Sequence, residues 1–446
     1  MKYLFTITNR AFVLCLCIFG LIAESKAQKN TDSPYSRYGI GLINQAGFNG
    51  NYGLGGVGYA WRPYHYKPQV YDSLARSNAK LNDRGTNYIN PTNPASFSNI
   101  SLTTFEVSMV SRNTEYTSGS QSRTGSSTQL AHMAVALPVG ENWGVGFGIR
   151  PFSSVGYNYS VNTTVNGEEV VNEYEGSGGV NEIFFGTAYQ FKQNFSIGIS
   201  AKYLFGSIID DRRVIYNNGV NFFNTYDQRD LRVNSLRLDV GIQYFKSLSN
   251  DRRVIFGLKV SPGDELNAEQ SQLIRNYEGN NGFESFKDTV LFVDKSGTTL
   301  PFAPTYGIGI AYEVKKKWMI AADYTQLAWD ASFAQGVSFE NSSRMNIGFE
   351  KYTNPSAFGS YLKRMGYRAG INYNSSLIVI DGEAIDEFGI SFGISMPLRK
   401  SFSTLNFGVE LGSRGKDEAG LTQEQFFNFQ FGVTINDKWF IKRKYD

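Results

Sequence analysis

Phe195-Ser-Ile-Gly-Ile-Ser-Ala-Lys-Tyr-Leu-Phe205 is the stretch on which the architecture turns. Its odd positions are Phe195, Ile197, Ile199, Ala201, Tyr203 and Phe205, and its even positions are Ser196, Gly198, Ser200, Lys202 and Leu204. A period of two is a β-strand with one apolar and one mostly polar face. The same reading fits Trp143-Gly-Val-Gly-Phe-Gly-Ile-Arg150, Leu236-Arg-Leu-Asp-Val-Gly-Ile-Gln-Tyr244, Tyr306-Gly-Ile-Gly-Ile-Ala-Tyr312 and Phe427-Asn-Phe-Gln-Phe-Gly-Val-Thr-Ile435. Fourteen such segments follow one another, near 102–118, 127–138, 143–159, 181–191, 195–210, 231–246, 253–265, 303–313, 317–330, 341–352, 363–375, 385–397, 403–415 and 423–436. Each holds a core of roughly nine to eleven residues, the length of a tilted membrane-crossing strand.

The connections alternate between short and long. Val139–Asn142, Lys192–Asn194, Lys246–Arg252, Val314–Lys316 and Leu398–Phe402 are short. The links near 160–180, 211–230, 266–302, 376–384 and 416–422 are mostly longer and polar, and read as loops. Short periplasmic turns and long outer loops are the outer-membrane arrangement, and an even strand count suits it. The link Lys351–Lys363 is long where a short turn is expected.

One face of every segment is a continuous band of Phe, Ile, Val and Tyr. The other carries Gly and Ser with scattered charges, among them Glu106, Arg150, Lys202, Arg237, Asp239, Lys259, Asp323, Glu350, Arg368 and Glu410. A charge at bilayer depth is costly, so these side chains are assigned to the lumen and the apolar band to lipid. A soluble β-sandwich, the alternative, would carry a polar outer face and more even strand spacing. The fold class expected is all-β, a transmembrane antiparallel barrel of the bacterial outer membrane.

Composition agrees. The 446 residues include 43 Lys plus Arg against 40 Asp plus Glu, a net charge of +3, which offers no electrostatic footprint for nucleic acid. Aromatic residues make up 15%, too many for a disordered chain. Beyond residue 23 no apolar run is long enough for a spanning helix. Lys2 and Arg10 precede the apolar run Ala11–Ala23, with Ser25 and Ala27 before a cut at Ala27/Gln28, so residues 1–27 read as a secretory signal peptide. Both cysteines, Cys15 and Cys17, fall within it, and Leu14 and Leu16 replace the small residue a lipoprotein needs. A mature chain without cysteine has no disulfide, thiolate nucleophile or Cys-ligated zinc.

Residues 28–101 alternate weakly and are rich in Gly, Asn, Pro and Tyr. A fourteen-strand lumen is wider than its own side chains can fill, so this segment is expected to plug it and meet the inward charges. A periplasmic extension that binds elsewhere is the alternative. Residues 102–436 are then the barrel and 437–446 a basic tail, in the run Asn436-Asp-Lys-Trp-Phe-Ile-Lys-Arg-Lys-Tyr-Asp446, either solvated or bound to lipid headgroups or to a periplasmic partner.

The run Gly53-Leu-Gly55-Gly56-Val-Gly58, then Asn93-Pro94-Ala95, then a barrel, resembles the FadL-type outer-membrane transport proteins. Gly144–Phe152, Phe256–Pro262, Leu300–Gly309 and Trp318–Gln326 extend the resemblance over most of the mature chain. It implies an N-terminal hatch that carries the Gly-rich and Asn-Pro-Ala motifs and plugs fourteen strands, and uptake of hydrophobic small molecules such as long-chain fatty acids. PorV-like barrels of type 9 secretion share this group, and imply instead an accessory barrel that partners other outer-membrane proteins in secretion or assembly of surface proteins. An insertion, Trp61–Arg84, departs from the pattern and would enlarge the hatch.

Site chemistry in the sequence is sparse. Gly53-x-Gly55-x-x-Gly58 matches a dinucleotide fingerprint only formally, because the prolines after it forbid the helix that motif requires. His65 and His132 are the only histidines, too few and too far apart for a metal cluster, and His132 is expected to face inward and meet the plug. No enzyme, metal or cofactor is expected. Arg150, Lys202, Arg237, Lys259 and Arg368 are the candidate lumen anchors for a ligand carboxylate. The competing role for them is pairing with the inward carboxylates.

Overall fold

The computed structural model describes residues 31–437 apart from 45–46, 64–86, 166, 193, 217–221, 280–283, 330, 335–336, 354–359, 376, 399–400 and 419. The expected signal peptide, His65, most of the hatch insertion and the basic tail lie outside the described residues.

Fourteen strands form one closed antiparallel barrel. They are β1 (Thr103–Ser118), β2 (Gln121–Pro138), β3 (Trp143–Pro151), β4 (Glu168–Phe191), β5 (Phe195–Tyr216), β6 (Asn224–Ser247), β7 (Arg252–Ser261), β8 (Thr305–Val314), β9 (Trp318–Leu327), β10 (Ser342–Lys351), β11 (Gly366–Asn374), β12 (Glu387–Pro397), β13 (Thr404–Arg414) and β14 (Gln423–Asp437). β14 closes on β1, with Thr104 opposite Asn436 and Thr117 opposite Gln423. Closure satisfies the backbone inside the wall, which lipid cannot do. Ile199 is 47% exposed and Ser200 1%, so the period of two separates a lipid-facing wall from a packed interior as expected.

The long polar links are mostly strand, not loop. β4 and β6 run for 24 residues and β5 for 22, about twice what a bilayer needs, so their outer halves rise above the membrane. The link 266–302 forms a hairpin of Asp264–Glu278 and Ser285–Phe302, paired onto the outer half of β6. Charged side chains on both faces hide the period of two in these extensions, because neither face meets lipid.

The expected strand 143–159 breaks at Phe152. Ser153–Val165 continues as a second strand that pairs with β4 but leaves β2. Among the described residues, β2 pairs with β3 only over Met133–Pro138, so its outer half has a partner in β1 alone. Pro151 has no N–H to offer β2. At the same level Gly178 and Gly179 on β4 and Gly206 on β5 have φ of 103°, 143° and 153°, a region L-side chains avoid, and a methyl group at each would strike the backbone of Ser207, Ser153 and Gly179 respectively.

The N-terminal segment packs on the inner wall. Asn93 fastens it to β6 and β7, its Nδ2 donating to Tyr59 O at 2.9 Å, Ile242 O at 3.1 Å and Leu258 O at 3.3 Å. Its Oδ1 accepts from Ala95 N at 3.0 Å, capping the 3₁₀ turn Pro94–Asn99. Backbone approaches backbone closely here: a methyl group on Gly241 would strike Asn93 Oδ1, and one on Gly257 the Tyr59 carbonyl. The glycines on the inner face of the strands are thus the socket of the plug.

Candidate ligand chamber

Carboxylates on the wall hold the plug through its backbone. Asp323 on β9 accepts from Gly58 N at 2.6 Å and Tyr59 N at 2.9 Å, and Glu106 on β1 accepts from Ile89 N at 3.0 Å. Gly55 N donates to Ser391 Oγ at 2.8 Å and Gly56 N to Asn51 O at 3.2 Å. The amides that a phosphate-binding glycine loop would need are therefore in use. Trp61 Nε1 donates to Glu350 at 3.0 Å. Arg62, 1% exposed, donates to Gln190, Gln243 and Ser98. His132 meets the plug as expected, stacking on Phe48 with ring centroids 4.0 Å apart and lying 3.5 Å from Glu106.

The five cations proposed from sequence divide in two. Four are engaged strand to strand. Arg150 donates to Glu182 at 3.0 Å, Lys202 lies 2.7 Å from Asp239 and 3.6 Å from Glu182, Lys259 lies 3.1 Å from Asp239, and Arg368 lies 2.7 Å from Glu350. Glu182, which joins Arg150 to Lys202, escapes the sequence reading because it is only the second residue of its expected segment, where the inward register is not yet evident. The fifth, Arg237, lies with its guanidinium carbon 4.0 Å from the centroid of the Phe302 ring, and its Nε and Nη2 have no hydrogen-bond partner among the described residues.

Phe302 belongs to the wall of a cavity between the start of the N-terminal segment and the outer part of the barrel. This cavity, of about 100 Å³, is lined by Leu42, Ile43, Leu266, Leu300, Phe302, Trp329 and Ile378. Its polar end is Arg344, Asn374, Glu387 and Arg414. A second cavity of about 120 Å³ shares Leu42, Ile43 and those four polar residues, and continues past Arg112, Glu410 and Glu424 to Gly125 and Ser126 on the unpaired half of β2. Arg414 is committed to Glu387 and Glu424. Arg344 has no ion pair among the described residues, and its buried Nε has no hydrogen-bond partner there. It sits on the inward-facing register of β10, at the outer end. Sequence reasoning passes over Arg344 because the expected strand begins only three residues before it, where the inward register is not yet evident.

The N-terminal residues fill the seam between β2 and the strand Ser153–Val165. A methyl group on Gly125 of β2 would meet Asp32, and one on Gly156 would strike the Thr31 carbonyl. Ser36 Oγ donates to Gly156 O at 3.1 Å and accepts from Gly156 N at 3.0 Å, taking the place of a neighbouring strand. Tyr35 OH donates to Thr422 O at 2.6 Å and accepts from Thr422 N at 3.0 Å, and Ser33 Oγ donates to Glu424. Burial pushes the Tyr35 hydroxyl up to about 12.

A closed fourteen-strand wall with a lipid-facing apolar band, and an N-terminal segment packed on its inner face, define a β-barrel of the bacterial outer membrane. The sequence-family profile BamG matches residues 8–446, and the chain belongs to that family. The fold is shared with the Ralstonia pickettii toluene transporter TbuX, at TM-score 0.55 and 13% identity over 88% of this chain and 99% of that one. The Pseudomonas putida toluene transporter TodX aligns at TM-score 0.54 and 13% identity over 92% and 100% of the two chains. A Pseudomonas aeruginosa FadL homologue aligns at 0.53 and 11% over 88% and 98%. No curated protein matches the sequence.

Proposed function

We infer that this barrel is a channel for uptake of small hydrophobic molecules across the outer membrane. The observation that carries the reading is the apolar cavity with one polar end between the N-terminal segment and the barrel wall. A dry space of about 150 Å³ accepts a single aromatic ring, so the first cavity is of the right order for a compact hydrocarbon. A long-chain fatty acid would need both cavities, with its carboxylate at Arg344 and its tail against Leu42, Leu300 and Ile378. The N-terminal segment is held by buried hydrogen bonds, and the exit we propose is the seam filled by Thr31–Ser36, whose Thr31, Asp32 and Ser33 line the second cavity. Calorimetry in detergent with toluene and with octanoate tests this. Saturable binding that Leu300→Trp abolishes supports it. Arg344→Ala should weaken octanoate and leave toluene unchanged. Absence of saturable binding by either compound would remove the reading.

The fixity of the plug favours a second reading, an accessory barrel that partners other outer-membrane proteins. A scaffold needs no moving plug, and the outer halves of β4, β5 and β6 offer it a broad surface. Recovery of stoichiometric partners from mild detergent, with no ligand binding, would select this reading.

A further inference from the structure

The short-turn end of the barrel is the periplasmic one in outer-membrane barrels, and among the described residues most of its exposed cations lie on three adjacent turns. The turns β6–β7, β8–β9 and β10–β11 are joined into one lip: Lys315 N donates to Asp251 O at 2.8 Å and Tyr352 N to Lys317 O at 2.9 Å. This lip carries Lys246, Arg252, Lys316, Lys317, Lys351 and Lys363, all exposed. Asp251 is the one exposed carboxylate on these turns among the described residues. Lys246, Arg252, Lys317, Lys351 and Lys363 make no ion pair among the described residues.

Register decides where three of these cations point. Lys246 is two residues beyond Tyr244, Arg252 four before Phe256, and Lys351 two beyond Phe349. Tyr244, Phe256 and Phe349 are 41%, 47% and 43% exposed, on the lipid-facing side of their strands. An even separation keeps a strand residue on the same side. These cations therefore continue the outer wall just beneath its apolar band, at headgroup depth, rather than facing the periplasm. Leu248 and Leu362, 58% and 62% exposed, rise from the same lip. A cation on the outer wall with apolar neighbours fits a phosphate held above acyl chains, whereas an acidic protein would meet cations at the turn tips alone.

We propose that this lip is a binding surface for anionic phospholipids of the periplasmic leaflet, with Lys246, Arg252 and Lys351 as the headgroup contacts. Among the described residues, the other short turns carry only Glu141 and Lys192 as charged side chains, one of each sign, beside Trp143. Basic residues near an anionic surface attract it by about fivefold in binding each.

Two tryptophans report the two flanks. Trp318 lies on the lip, 6.2 Å from the Phe349 ring, and Trp143, 47% exposed, lies on β3 across the barrel. Trp61 and Trp329 are buried and stay in place. The measurement is fluorescence quenching by brominated phosphatidylglycerol and brominated phosphatidylcholine in vesicles. One protein carries Trp143→Phe and Trp439→Phe, the other Trp318→Phe and Trp439→Phe. At Trp318 the anionic lipid should bind at least about fivefold more strongly than the zwitterionic one, and at Trp143 the two should differ by less than about twofold. Lys246→Gln/Arg252→Gln/Lys351→Gln should abolish the preference at Trp318, with heat-modifiable migration in gels confirming a folded barrel. Should that variant fail to fold, Lys316→Gln/Lys317→Gln with raised salt provides the second test, and both should reduce the preference. Equal quenching by the two lipids at Trp318, the same preference at both tryptophans, or a preference unmoved by neutralisation and salt would each overturn the proposal.

Discussion

Asp323→Ala tests whether the plug is locked from the wall. The Asp323 carboxyl accepts from Gly58 N and Tyr59 N at 2.6 and 2.9 Å, and the residue is 5% exposed. Water does not reach this site freely, so the variant leaves two buried amides without acceptors. Each costs about 1–3 kcal/mol, or about 4 kcal/mol for the pair at mid-range. At about 1.4 kcal/mol per decade, that raises the undocked fraction of the plug close to a thousandfold. The barrel wall should survive, because Asp323 contributes only its backbone to the β9–β10 ladder, opposite Asn346. Conductance of single barrels in planar bilayers reads the undocked state directly, and protease cleavage within the N-terminal segment gives a second measure. Asp323→Asn keeps one acceptor oxygen and should raise conductance far less than the Ala variant. A folded Asp323→Ala barrel with wild-type conductance and protease resistance would refute the lock.

The socket of the plug predicts a contrast between glycines: Gly257→Ala forces a methyl group into the Tyr59 carbonyl and should cost about 1–3 kcal/mol of stability, while Gly297→Ala, with nothing near it, should be neutral by thermal melting. Ile199→Arg places a charge on the lipid face and should cost about 2–4 kcal/mol, seen as lost heat-modifiable barrel. Ser200→Arg is no milder control, since Ser200 is 1% exposed beneath the plug; Glu265→Arg on the outer hairpin is the neutral comparison. Single cysteines at Gly279 and Lys316 should label from outside and from the periplasm respectively, and the reverse in intact cells would invert the topology. Because Tyr35 titrates at about 12 when folded against about 10 when free, its contribution is fully present below pH 10 and is lost as pH rises toward 12. The N-terminal segment should loosen over that window by limited proteolysis, and Tyr35→Phe should remove the dependence.

The strand count, the lipid-facing side and the inward charges were legible in the sequence because the bilayer imposes them residue by residue. A strand that meets lipid on one side alternates, and the run Phe195–Phe205 carries that constraint in its own letters. The Asn93-Pro94-Ala95 and Gly53–Gly58 motifs were legible as a hatch by resemblance. Their purpose, however, lies in contacts with Ile242, Leu258, Asp323 and Ser391, which are about 150 to 340 residues distant in the chain. What lipid does not touch was not legible. The outer halves of β4, β5 and β6 read as loops, since strands wet on both faces need no alternation. The break at Phe152 depends on glycines of β4 and β5 that only pairing brings level with it. The cation identities were visible but their partners were not: Arg150 and Lys202 share Glu182 because strands β3, β4 and β5 happen to be neighbours in register, and Arg344 has no ion partner among the described residues because Thr325 and Asn374 stand opposite it. Alternation is a local property of one strand against a uniform solvent, whereas a chamber is a property of distant strands against each other, and that is why the wall could be read from the sequence and the chamber could not.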